Sequence, residues 1–140
     1  MAAAASSQKL TTIRETFSLL DDWEDRYRYI VELGRDLAPL PDADKTPANY
    51  VHGCQSQVWI VAEEHAGRLR FRLDSDALIV RGLIAILLAA FDDKTPADIL
   101  GFDIDALFDD LDLKRHLSPT RGNGLAALVR RIQEIARAHA

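Results

Sequence analysis

The chain has 140 residues, enough for one domain with its own hydrophobic core and too few to need two. Apolar residues make up 48% and charged residues 28%, the balance of an ordinary soluble protein. The net charge of −5 argues against a nucleic-acid partner, whose phosphates call for clustered Lys and Arg. One cysteine excludes an internal disulfide and any redox cycle that uses a resolving cysteine in the same chain.

Residues 1–7 are mostly alanine and serine, without the basic start and apolar core of a secretory signal. The longest apolar stretch, 77–91, contains Arg81 and Gly82 and falls short of the ~20 residues that span a bilayer. The expected location is the cytoplasm, with no membrane partner.

In chain order, residues 1–8 read as a flexible N-terminal tail and residues 9–140 as a single domain. Leu10, Ile13, Phe17 and Leu20 recur at helical spacing and predict a first amphipathic helix. Asp21 or Asp22 caps a second, and Glu24 and Asp25 suit its positive N-terminal end. Its apolar stripe is Trp23, Tyr27, Ile30, Val31 and Leu37, read as core. Pro39, Pro41 and Pro47 make 38–48 a loop, because proline interrupts both helix and central strand.

Three strands are predicted after the loop: a short one over 49–52, then 57–64, a turn at His65, Ala66 and Gly67, and 68–73. In the last, Leu69, Phe71 and Leu73 alternate with Arg68, Arg70 and Arg72, so the leucines and phenylalanine face the core. The three arginines read as a solvated face in preference to an anion site. Asp74 and Ser75 are helix-cap types, and Asp76 falls in the first turn of a helix over 77–91 that is apolar nearly all round, the central packed element of a domain. Thr95-Pro96 starts a helix that Gly101 stops, Asp103 caps a short one over 104–111, and Ser118-Pro119 opens the last. That last helix has Leu125, Leu128, Val129, Ile132 and Ile135 as its buried stripe. The class is α+β: a small three-stranded antiparallel meander packed against N-terminal and C-terminal helices.

Chemistry points to residues 49–61, which hold Cys54. Gly53 permits a tight turn and a close approach by another chain, and Gln55, Ser56 and Gln57 are hydrogen-bonding residues suited to a rigid loop. An unperturbed thiol near pKa ~8.5 is only a few per cent thiolate at neutral pH, so its reactivity needs a nearby positive charge or a partner. A Cys–His hydrolase lacks support: His52 is too close in an extended segment, and no acid or oxyanion signature accompanies it. One cysteine and four histidines show no zinc spacing, the phosphate-binding glycine patterns are absent, and Gly122-Asn123-Gly124 is explained as helix-start geometry.

Three runs, in order, carry a resemblance: Gly53-Cys54-Gln55-Ser56-Gln57-Val58-Trp59, then Asp74-Ser75-Asp76-Ala77 with Ile79-Val80-Arg81-Gly82-Leu83, then Leu117-Ser118-Pro119-Thr120-Arg121-Gly122-Asn123-Gly124-Leu125. Together they resemble the SufE family of sulfur acceptors for cysteine desulfurases, its CsdE-like relatives included, over roughly residues 17–136. The resemblance implies a compact fold similar to IscU-type scaffold proteins, without their set of ligand cysteines. It implies that Cys54 takes persulfide sulfur from a PLP-dependent, SufS- or CsdA-like desulfurase, stimulates that enzyme, and passes the sulfur to a downstream iron–sulfur scaffold complex. PLP belongs to the partner; this chain is expected to hold no cofactor or metal and to catalyse nothing alone. Gly53, Gln55, Asp76 and Arg121 are the expected partner-binding residues, with a cap or surface ion pair the competing role for Asp76 and Arg121. No role is carried onto His52. The alternative is a stand-alone cysteine-nucleophile enzyme, a hydrolase or thiol transferase.

Overall fold

The computed structural model describes residues 2–140, with side chains described from residue 8. Two helices, α1 (Ala2–Leu19) and α2 (Trp23–Asp36), precede the loop, and the hairpin β1 (Val58–His65) and β2 (Arg68–Ser75) follows it. Helices α3 (Leu78–Phe91), α4 (Pro96–Gly101), α5 (Ile104–Asp110), α6 (Leu113–His116) and α7 (Pro119–Ala138) complete the chain. The expected tail over 1–8 coincides with the first turns of α1, and Met1 lies outside the described residues.

Sequence chemistry accounts for most boundaries. Asp22, Thr95, Asp103 and Ser118 each accept a backbone N–H at the start of α2, α4, α5 and α7, satisfying donors that the helix cannot. Ala66 and Gly67, at φ 52° and 78°, form a two-residue turn of the mirror-image type that matches strand twist. Leu69, Phe71 and Leu73 are buried. The arginines between them are compensated: Arg68 donates to the Asp93 carbonyl, Arg70 pairs with Asp93, and Arg72 pairs with Asp44 and Glu63.

Helix α3 is the hub, with Ile79, Leu83, Ile84, Ile86, Leu87 and Phe91 all buried. Both α1 and α2 pack on it. The α2–α3 crossing is made by two glycines. A Cβ on Gly82 would lie 2.0 Å from the Ile30 carbonyl oxygen, and one on Gly34 would lie 2.5 Å from that of Leu78. Arg81 reinforces the crossing by donating to the carbonyls of Gly34 and Leu37 at the C-terminal end of α2 and to the Asp74 carboxylate. Asp74 is buried and also accepts the Leu40 N–H at 3.0 Å, so one carboxylate ties the proline-rich loop to the sheet and to α3.

Three expectations are corrected. The sheet has two strands, not three. Residues 47–49 form a 3₁₀ turn and Gly53 reverses the chain at φ 95°, leaving Tyr50 to make a single bridge to Trp59 and Val51 to donate to the Val58 carbonyl. Tyr27 is 41% exposed, because the core-facing side of α2 is centred on Ile30 and Gly34. Asp76 precedes α3, whose N-cap is Ala77; its carboxylate accepts the Gln57 N–H at 3.0 Å instead.

Candidate functional site

The cysteine loop is held at both ends and pressed against α7. At its entrance Val51 is buried and bonded to Val58. At its exit Gln57 and Asp76 exchange two hydrogen bonds, one to the Asp76 carboxylate and one from the Asp76 N–H to the Gln57 carbonyl. Between them Gly53 takes a left-handed conformation that L side chains rarely adopt. A Cβ there would also lie 3.1 Å from the Ala127 Cβ, so the backbone conformation calls for glycine and the tight approach to α7 adds to that preference.

These restraints leave Cys54 half-buried, its thiol donating to the Gly124 carbonyl at 3.4 Å. Beside the sulfur is a cavity of about 210 Å³. Gln55 and Ser56 from the loop, Val80 and Leu83 from α3, and Arg121 and Leu128 from α7 are among its walls. Arg121 stands in the first turn of α7, and its guanidinium has no ion pair among the described residues. Ser118, Thr120 and Arg121, from the start of α7, thus line the same cavity as the sulfur.

Burial pushes the Cys54 thiol up from its ordinary value, because a thiolate is poorly solvated there. The folded state thus holds the thiol proton more tightly than the unfolded chain does. That increment of stability is present below the unfolded thiol's pKa and is lost as pH rises through the folded one. Iodoacetamide alkylation of the native protein is therefore expected to keep accelerating at pH values where the urea-unfolded chain has levelled off. Coincident pH profiles would contradict it.

Among the described residues no histidine bonds the thiol. His52 is exposed, its ring set edge-on to Tyr50 with centroids 5.1 Å apart. His116 stacks on Trp23 at 4.1 Å, and its Nδ1 lies 3.0 Å from the Asp112 carbonyl. His139 contacts the Ile135 carbonyl, and His65 ends β1. Among the described residues no cluster of three or more His, Cys, Asp or Glu side chains is placed to hold a metal ion, and no helix is long and apolar enough to cross a membrane.

Of the residues singled out in the sequence, Cys54, Gln55 and Arg121 meet at one cavity. Gly53 precedes Cys54 in the chain and packs toward Ala127, outside the cavity wall. Asp76 stands at the loop's exit, outside the cavity wall. Sequence reasoning missed Gly124 as a site residue, 70 positions from Cys54 and in contact with it. It also missed the apolar wall from α3 and α7, whose residues read only as core.

The chain is similar to known proteins both in sequence family and in fold. The model of one family, "SufE: Fe-S metabolism associated domain", matches residues 11–136. A solution structure described as a hypothetical protein from Thermus thermophilus superposes with a TM-score of 0.74 at 23% identity, over 94% of this chain and 95% of that one. That likeness establishes the shared fold.

Proposed function

Because the chain belongs to the SufE family and so has a role in Fe–S metabolism, we propose that Cys54 accepts persulfide sulfur from a cysteine desulfurase and carries it to an iron–sulfur scaffold. In the transfer the Cys54 thiolate attacks the outer sulfur of the donor persulfide. A new S–S bond forms on Cys54, the donor's S–S bond breaks, and the donor cysteine leaves as a thiolate, as in thiol–disulfide exchange. No external oxidant is consumed.

The observation that supports this most is the environment of the thiol: a sole cysteine beside a cavity that Arg121 helps to line, with no base in hydrogen-bond reach among the described residues. A hydrolase needs a general base on its nucleophile. A carrier needs only an acceptor sulfur that ionises when a partner displaces the Gly124 carbonyl and brings its own charges. With no second thiol in the chain, accepted sulfur leaves only to another molecule. Gly53, Gln55 and Arg121 form the rim that the partner meets, and Asp76 takes part by fixing the loop through Gln57.

The test is desulfurase turnover on free cysteine with increasing amounts of this protein. Saturable stimulation by the wild type is expected, with no turnover of cysteine, esters or amides by the protein alone. Activity without a partner would favour the stand-alone enzyme, and absence of stimulation by any desulfurase of the class would remove the carrier.

A further inference from the structure

Gly124 has no structural justification in the thiol state. It sits in the second turn of α7, a 20-residue helix, where glycine weakens the helix relative to alanine. Its φ is not positive, in contrast to Gly53 and Gly67, so alanine could adopt the same backbone. The three atoms nearest a Cβ built on Gly124 all belong to Cys54: Sγ and Cα at 3.6 Å and Cβ at 3.7 Å. Those are ordinary van der Waals distances. The packed thiol form thus accepts a methyl group at this position without displacement, and gives no reason for its absence.

Cys54 with a second sulfur is a different case. An S–S bond is about 2.05 Å long, so a methyl carbon 3.6 Å from Sγ closes off the Gly124 side to an outer sulfur. Gly124 and Cys54 are both walls of the same cavity, so that side is part of the space available to the outer sulfur. The carbonyl that receives the thiol proton is also that of Gly124.

We infer that Gly124 is a specificity-determining position: the missing side chain reserves, on the helix face, the room that the outer sulfur of a Cys54 persulfide occupies. The inference rests on the carrier reading and adds the residue that separates a thiol site from a persulfide site. Gly122, in the same helix, serves as the internal control, since nothing lies within 4 Å of a Cβ built there.

The experiment compares wild type, Gly124→Ala, Gly122→Ala and Cys54→Ser. Each is loaded with inorganic polysulfide, which transfers one sulfur to a thiolate and leaves as the shortened polysulfide, and separately with desulfurase plus cysteine. Intact mass follows the gain of one sulfur atom, and thermal denaturation follows the thiol form. Gly124→Ala should melt at or above the wild-type temperature while its persulfide yield falls about tenfold or more, the scale of overpacking in a close-fitting site. Gly122→Ala should load like wild type. Equal loading of Gly124→Ala and wild type would overturn the inference and leave the carrier reading standing. So would equal losses in the two alanine variants, which would point to helix stiffening, or a Gly124→Ala protein that fails to fold. A wild type that takes no sulfur from either donor would end the carrier reading and this inference with it.

Discussion

Cys54→Ser is expected to abolish stimulation of the desulfurase while leaving the fold in place. The side chain is half-buried in a loop, and its one polar contact runs from the thiol to the Gly124 carbonyl. A serine hydroxyl donates to the same oxygen, so the cost should be about 1 kcal/mol or less, a melting shift of no more than about 4 °C. Sulfur uptake, by contrast, has no second thiol to fall back on, and a serine oxygen is not ionised at neutral pH. Loss of stimulation should therefore be complete while the circular dichroism spectrum is unchanged. A Cys54→Ser protein that still stimulates would move the function to the surface and away from the sulfur.

Gly82→Ala should be the most damaging small substitution in the chain. The added Cβ would lie 2.0 Å from the Ile30 carbonyl oxygen and 2.6 Å from Ile30 Cγ2. Its nearest neighbour is backbone in the middle of α2, so no side-chain rotation relieves the contact and the helices must move apart. Separation also pulls the Gly34 and Leu37 carbonyls away from Arg81 and strains the Arg81–Asp74 contact. Overpacking of this kind costs at the upper end of single substitutions, about 3–5 kcal/mol, against a total stability of about 5–15 kcal/mol for a domain. The melting temperature should fall by roughly 10–20 °C. Gly101→Ala, where a Cβ meets nothing within 4 Å, should be nearly neutral. Similar melting of the two variants would mean that the helix crossing is looser than described.

What the sequence made legible was local. Side-chain oxygens at Asp22, Thr95, Asp103 and Ser118 announce helix starts because capping acts over two or three residues. The alternation of Leu69, Phe71 and Leu73 with arginines announces a strand with one buried face. The apolar composition of α3 announces a helix packed on nearly every side. What stayed hidden depends on segments far apart in the chain. The absence of side chains at Gly34 and Gly82 acquires meaning only where α2 crosses α3. Asp74 carries cap chemistry in its type and accepts the Ser75 N–H, yet it also holds Leu40, Lys45 and Arg81 from distant segments. The third strand failed because two extended residues, Tyr50 and Val51, are too few between a 3₁₀ turn and a left-handed glycine.

The site divides along the same line. Cys54 stood out as the sole thiol among polar residues, and Arg121 as part of a run resembling a known family. That the two face one cavity is a consequence of α7 packing beside the loop, which no periodicity encodes. Asp76 was legible only by type: no periodicity announces that its carboxylate accepts the Gln57 N–H and holds the exit of the cysteine loop.

The central claim is that sulfur travels on Cys54, and localising the sulfur tests it most directly. The wild type is incubated with a cysteine desulfurase and isotopically labelled cysteine sulfur, alkylated, digested and fragmented in the mass spectrometer. The labelled sulfur is expected on the peptide containing Cys54, bonded to its Sγ, and a scaffold added before alkylation should remove it. Label released only as free sulfide, with Cys54 recovered as an unmodified thiol, would contradict the claim.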